Sequence, residues 1–162
     1  MPRLPPVPQP DSGFDRSIVI NAPPSRVLDA FFDRDALSAW WLAARSITSP
    51  RPLGVYAVEW EPTAEADEVL GRLGGIFYGV VVEYRPGREL CVADAWWLPP
   101  DGDPIGPMSL EVTCTVEEAA CRVRVRQRGF DESPRWRRYY DVIERGWIVS
   151  MAALKAYAEN GV

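Results

Sequence analysis

Asp94 is the carboxylate in this sequence whose neighbours could give it chemistry. In the run from Glu89 to Trp97 it shares strand parity with Leu90, Val92 and Trp96. If that face turns inward, the carboxyl sits in an aromatic cavity and desolvation raises its pKa, which is how a general acid or base is made. If the parity reverses at a bulge, Asp94 faces water or pairs with an arginine. A lone acid is thin ground for catalysis, so no catalytic residue is assigned. The chain contains no histidine, which removes Ser-His-Asp triads, Cys-His pairs and His-containing zinc sites. Cys91, Cys114 and Cys121 lack metal-ligand spacing. Gly74-Gly75 is no phosphate loop, because a strand pattern follows it and no Lys-Ser/Thr does. Neither a metal nor a cofactor is expected.

The aromatic residues point to a ligand. Trp40 and Trp41 end a helical pattern, Tyr56 and Trp60 lie on one strand face, and Trp96 or Trp97 ends another strand. Trp136, Tyr140 and Trp147 line a long helix. Such side chains bury about 150–250 Å² each and dominate any pocket they line. They either fill the core solidly or wall an apolar cavity with a few polar groups, the usual small-molecule site. The candidate ligand-binding set is therefore Trp40, Trp41, Tyr56, Trp60, Asp94, Trp96, Trp136, Tyr140 and Trp147. Arg135, Arg137 and Arg138 crowd one helix start, where positive charge opposes the helix dipole. They read as a locally paired surface, partly offset by Asp131 and Glu132; the alternative is one arginine leaning over a cavity mouth.

Composition narrows the partners. The net charge is −5, and Lys155 is the only lysine. An acidic chain without a basic stripe does not track phosphate backbones, so no nucleic acid is expected. No run approaches the roughly 18 apolar residues of a membrane span, and no charged start precedes a short apolar run as in a secretory signal. The odd cysteine count then reads as small hydrophobes in a reducing cytoplasm. At 162 residues with 47% hydrophobic content, one domain with its own core is expected, with no need of a disulfide or metal staple. A homodimer is compatible with all of this.

The elements that must position these residues follow from periodicity. Residues 1–13 carry five prolines in the first ten positions and form an extended tail; residues 14–162 form the domain. Phe14 to Asn21 is a strand. Pro23-Pro24 opens a helix with the stripe Val27, Leu28, Phe31, Phe32, and Asp33 caps a second short helix burying Leu37, Trp40 and Trp41. From about residue 44 the period becomes alternating, with Tyr56, Val58 and Trp60 on one face. Residues 62–74 and 98–107 read as loops. Strands run from Ile76 to Arg85 and Glu89 to Trp97 around a Pro86-Gly87 turn.

The last hairpin is constrained by parity. Leu110, Val112, Cys114 and Val116 must face Val123 and Val125, which needs an even-numbered turn around Glu118 to Cys121. A two-residue turn pairs Glu111 with Arg126; a four-residue turn pairs Glu117 with Arg122. Either way Arg122, Arg124, Arg126 and Arg128 form a solvated outer row. Ser133-Pro134 then caps a helix whose stripe Trp136, Tyr140, Ile143, Trp147, Met151, Leu154 recurs every three or four residues. It runs to about Glu159, roughly 37 Å, with Asn160-Gly161 as its stop.

One strand, two short helices, about six strands and one long helix make an α+β domain. The long amphipathic helix has only the concave face of a curled antiparallel sheet to pack on. In this order the segments SIVINAPPSRVLDAFFDRDALSAWW, GVYAVEWE, GVVVEYRPGRELCVADAWW, VTCTVEE and RGFDES followed by ERGWIVSMAALKAYAENG resemble the Activator of Hsp90 ATPase homologue-like domains. Those belong to the START-like superfamily, which also holds birch-pollen-allergen-like proteins and polyketide cyclases. The resemblance covers about residues 14–161. It implies a helix-grip fold, six to seven strands around the C-terminal helix, and a hydrophobic ligand cavity; it implies no shared catalytic residues. Eukaryotic Hsp90 activators carry a further N-terminal domain that engages the chaperone, where this chain has its proline-rich tail, so Hsp90 is not the expected partner.

Three functions compete. A non-catalytic binder of a small hydrophobic or aromatic molecule needs a sizeable pocket and no convergent ionisable pair. A cyclase- or hydratase-like enzyme needs polar groups converging in that pocket, such as Asp94 with Tyr56, Tyr140 or Arg135. A chaperone-linked module needs a filled core and an exposed apolar surface outside it. The binder is the expectation.

Overall fold

The computed structural model describes residues 13–129 and 133–160. The proline-rich tail up to residue 12, Asp131, Glu132 and Gly161 lie outside them. In chain order the elements are β1 (Gly13–Ile20), α1 (Pro24–Asp29), α2 (Arg34–Trp40), β2 (Arg45–Thr48), β3 (Val55–Trp60), β4 (Ala66–Asp67), β5 (Gly71–Arg72), β6 (Gly75–Arg85), β7 (Glu89–Leu98), β8 (Ile105–Glu117), β9 (Ala120–Gly129) and α3 (Pro134–Glu159). Seven strands form one antiparallel sheet in the order β1-β9-β8-β7-β6-β3-β2. This is the expected helix-grip architecture.

Alternation builds the sheet. In β8 and β9, Leu110, Val112, Cys114, Cys121, Val123 and Val125 are buried. The hairpin uses the two-residue turn: Glu117 faces Ala120 and Glu111 faces Arg126, with Glu118 at a φ of 57°. The outer arginines are zipped by ion pairs, Arg122 to Glu117 at 2.6 Å and Arg124 to Asp15 across to β1. Pairs this exposed contribute little stability each, but they keep that face out of the core.

Both short helices start where the sequence predicts. Pro24 opens α1, and the Asp33 carboxylate accepts the Ala36 N–H at 2.9 Å to cap α2. They carry the chain from one edge strand, β1, to the other, β2. The Ser133 hydroxyl accepts from the Trp136 N–H at 3.3 Å at the start of α3. That helix has 26 residues, about 39 Å, and buries Trp136, Tyr139, Tyr140, Trp147, Met151, Leu154 and Ala158. Each large apolar side chain so buried contributes roughly 1.5–3 kcal/mol, which is what holds α3 in the concavity.

Three features differ from the pattern reading. The strand β1 begins at Gly13, one residue early. The polar segment 62–74 is not structureless, since β4 and β5 pair within it as a two-stranded ribbon. Residues 105–107 belong to β8, because Ile105 pairs with Trp97 and is buried.

The fourth difference decides the site. The β7–β8 register shifts between Val92 and Ala95, and Asp94 takes a φ of 48°. Left-handed backbone is tolerated by Asp better than by most residues. Val92 and then Ala95 point inward, so Asp94 and Trp96 fall on the outer face and Trp97 takes the inner one. The inward parity assumed for Asp94 and Trp96 is thus reversed by a bulge. On the outside the Trp96 indole N–H donates to Asp94 Oδ1 at 3.2 Å.

Candidate functional site

Between α3 and the inner sheet face lies a partly open cavity of about 340 Å³. Indoles wall one side. Trp41 lies 5.0 Å, centroid to centroid, from both Trp60 and Trp147, and the Trp60 N–H donates to the Trp41 carbonyl at 2.8 Å. Trp97 stacks on Tyr139 at 5.3 Å to make a second wall. Trp97 is anchored by its N–H to the Gly74 carbonyl at 2.7 Å. Leu110 and Gln127, partners across β8 and β9, line the sheet side. Ile143 and Gly146 line the helix side.

Gln127 is the one fully buried polar side chain among the described core residues, and it is well satisfied. Trp147 Nε1 donates to Gln127 Oε1 at 3.0 Å. Gln127 Nε2 donates to Tyr139 Oη at 3.0 Å and lies 2.8 Å from Met108 Sδ. Burial pushes the Tyr139 hydroxyl well above the usual tyrosine range, so it stays protonated.

The ribbon segment between β3 and β6 covers part of the cavity with Thr63, Leu70 and Leu73. Asp67 organises it. Its carboxylate accepts the backbone N–H groups of Val69 and Leu70 at 3.0 Å each and the Arg138 guanidinium at 2.5 Å. The guanidinium first, and those N–H groups next, hold the Asp67 carboxyl down at about 2. Arg138 is therefore tied to the ribbon, and neither it nor Arg135 nor Arg137 lines the cavity.

The nine residues picked from the sequence divide accordingly. Trp41, Trp60 and Trp147 line the cavity. Trp40 stands behind Trp41, stacked at 4.8 Å with its N–H on the Ala30 carbonyl. Tyr56 is wholly enclosed, its hydroxyl donating to the Phe31 carbonyl at 2.8 Å. Trp136 and Tyr140 stack on each other in the core at 5.7 Å. Asp94 and Trp96 are outside the sheet. Gln127 and Tyr139 were missed, and of the alternatives Trp96 and Trp97 the candidate set took Trp96, whereas it is Trp97 that lines the cavity. Parity with Val125 pointed to Gln127, a spacing of three from Trp136 to Tyr139, and only the bulge reveals Trp97.

A larger hollow, about 670 Å³, lies outside the sheet beside β2. It has no aromatic wall, and its Arg45 and Glu59 neutralise each other at 2.6 Å. The inner cavity is the candidate site. Among the described residues no cluster of His, Cys, Asp or Glu is gathered to hold a metal, and no helix is long and apolar enough to cross a membrane.

Solved structures with this fold include protein CV1439 from Chromobacterium violaceum, 23% identical, with a TM-score of 0.68 over 91% of this chain and 97% of that one. The Aha1 dimer from Colwellia psychrerythraea is 17% identical, with a TM-score of 0.64 over 92% and 97%. DynU16, a protein of the dynemicin biosynthetic locus, is 18% identical, with a TM-score of 0.67; the match covers 94% of this chain and 49% of DynU16. Identities this low speak for the fold alone. A comparison with curated proteins finds no match. The sequence pattern of one family, described as Activator of Hsp90 ATPase homolog 1-like protein, matches residues 21–159. With nearly the whole domain matched, this chain belongs to the Activator of Hsp90 ATPase homolog 1-like family.

Proposed function

We propose that this protein binds a small hydrophobic or aromatic molecule in the cavity between α3 and the sheet, without breaking a bond in it. The observation that carries this is the indole-walled space of about 340 Å³ beneath the ribbon, within the range of small-molecule sites. An enzyme on a polyketide-like substrate would need converging ionisable groups. Asp94 lies on the other side of the sheet, Tyr56 is spent on the Phe31 carbonyl, and Glu61 is the only charged side chain on the cavity lining among the described residues. An unfilled cavity also weighs against a chaperone-linked module, which would have a solid core. The relative from the dynemicin locus favours a biosynthetic small molecule as the ligand type.

Non-denaturing mass spectrometry of protein purified gently from its own host tests this. A reproducible added mass is expected, and Ile143→Trp, which fills the cavity from α3, should remove it. An unliganded mass that persists after incubation with apolar extracts would overturn the proposal. The same spectrum reads association. The dimeric Colwellia relative and the exposed Ile47, Val55, Tyr78 and Val82 on the outer face of β2, β3 and β6 support a homodimer.

A further inference from the structure

We infer, resting on the binding reading above, that the ligand is an uncharged, flat molecule presenting a carbonyl or similar acceptor to the Tyr139 hydroxyl. The chain of hydrogen bonds dictates the direction of each proton. An indole N–H can only donate, so Trp147 forces Gln127 to turn its oxygen toward α3 at 3.0 Å. The Gln127 amide nitrogen must then face Tyr139 Oη, donating to it at 3.0 Å. Tyr139 Oη is thereby the acceptor in that bond, and its own proton has to point elsewhere. The partner available is Met108 Sδ at 3.5 Å, a thioether and a poor acceptor, already approached by the amide at 2.8 Å.

A buried O–H held only by sulfur is underused. Tyr139 and Gln127 both line the cavity, so an oxygen acceptor entering there can draw the desolvated Tyr139 proton away from the sulfur, the situation in which a hydrogen bond discriminates most. The stacked Trp97 and Tyr139 rings, 5.3 Å apart, favour a planar frame around that acceptor. Charge is selected against. No Arg or Lys lines the cavity among the described residues, while Glu61 does, so a carboxylate or phosphate ligand would be buried without a counter-charge.

Fluorene and 9-fluorenone share one tricyclic frame and differ by the ketone, and 1-naphthoate supplies an anion. Binding of each is read by calorimetry and by quenching of tryptophan fluorescence. Fluorenone should bind about tenfold more tightly than fluorene, the size of one good hydrogen bond, and naphthoate least of all. Tyr139→Phe should collapse the fluorenone preference. Met108→Leu, which removes the sulfur that competes for the proton, should widen it and serves if the tyrosine variant folds poorly. Equal binding of fluorene and fluorenone would overturn the inference while leaving the binding proposal intact. So would a preference untouched by either variant, or tighter binding of naphthoate. Failure of all three probes to bind would overturn the inference as well, while the binding proposal is decided separately by the presence or absence of the added mass.

Discussion

Loss of the Asp67–Arg138 pair should loosen the β4–β5 ribbon without unfolding the domain. Asp67→Asn keeps an oxygen for the Val69 and Leu70 N–H groups but puts an NH2 group where Oδ1 accepts from Arg138 Nε and Nη2, so the charge and those two hydrogen bonds are lost together. The folded state holds the carboxyl at about 2 against a usual 3.8, a difference that linkage converts to roughly 2 kcal/mol. The Asp67 side chain is 6% exposed, but Arg138 is 37% exposed. Part of that shift belongs to the Val69 and Leu70 N–H groups, which the asparagine retains, and solvent screening on the arginine side weakens the remainder, so the pair contributes about 1 kcal/mol at most. That corresponds to at most about a fivefold rise in the population of ribbon-open molecules.

Hydrogen exchange at neutral pH is the assay, followed at the amides of Val69, Leu70 and Leu73 and compared with those of β8 and β9. The ribbon amides should exchange faster in the variant, by up to about fivefold, with the hairpin unchanged. A carboxylate with a lowered folded pKa stabilises fully above its unfolded value and loses that stabilisation as pH falls through the folded one. The pair should therefore hold undiminished from pH 7 to 5 and fade between about pH 4 and 2. Unchanged exchange at the ribbon would refute the latch. Equal acceleration in β8 and β9 would show that the pair supports the whole domain instead.

Two further substitutions probe the packing that shapes the cavity. A Cβ at Gly129 would fall 2.4 Å from Trp136 Cζ3 and 2.6 Å from Tyr140 Oη, so Gly129→Ala should lower stability by about 1–3 kcal/mol, read as a drop in Tm. Trp147→Phe leaves Gln127 Oε1 buried without its donor and should cost about 1–3 kcal/mol in urea unfolding; adding Gln127→Leu should recover part of that loss.

Much of the fold was legible because local chemistry and tertiary need agree. The ends of α3 follow from Ser133-Pro134 and the apolar stripe, and the observed helix is Pro134–Glu159. The β8–β9 register was narrowed to two alternatives by the cost of turning arginines inward, and the two-residue turn is the one adopted. The error at Asp94 and Trp96 has a definite cause. Parity is a long-range inference along a strand, and one inserted residue inverts everything beyond it. Nothing in the run Val92 to Trp97 announces the insertion, since Asp is merely tolerant of positive φ. Without that bulge Trp97 would point to solvent and the second wall of the cavity would be missing.

Gln127 was hidden for a different reason. Its parity with Val123 and Val125 places it inside, yet a buried amide is costly unless every polar atom finds a partner. Those partners are 12 residues away at Tyr139 and 20 at Trp147, on an element whose docking the strand pattern does not encode. Only once α3 lies in the concavity do the three side chains meet. The same meeting explains why β9 tolerates a glutamine where its neighbours are valines: Gln127 spends its amide on orienting Tyr139. Tyr139 was itself passed over because its neighbours Trp136 and Tyr140 already completed the helical stripe. On the binding reading proposed above, selectivity would rest on two residues that a periodicity argument treats as filler, and the indoles that periodicity finds easily would supply shape and apolar surface.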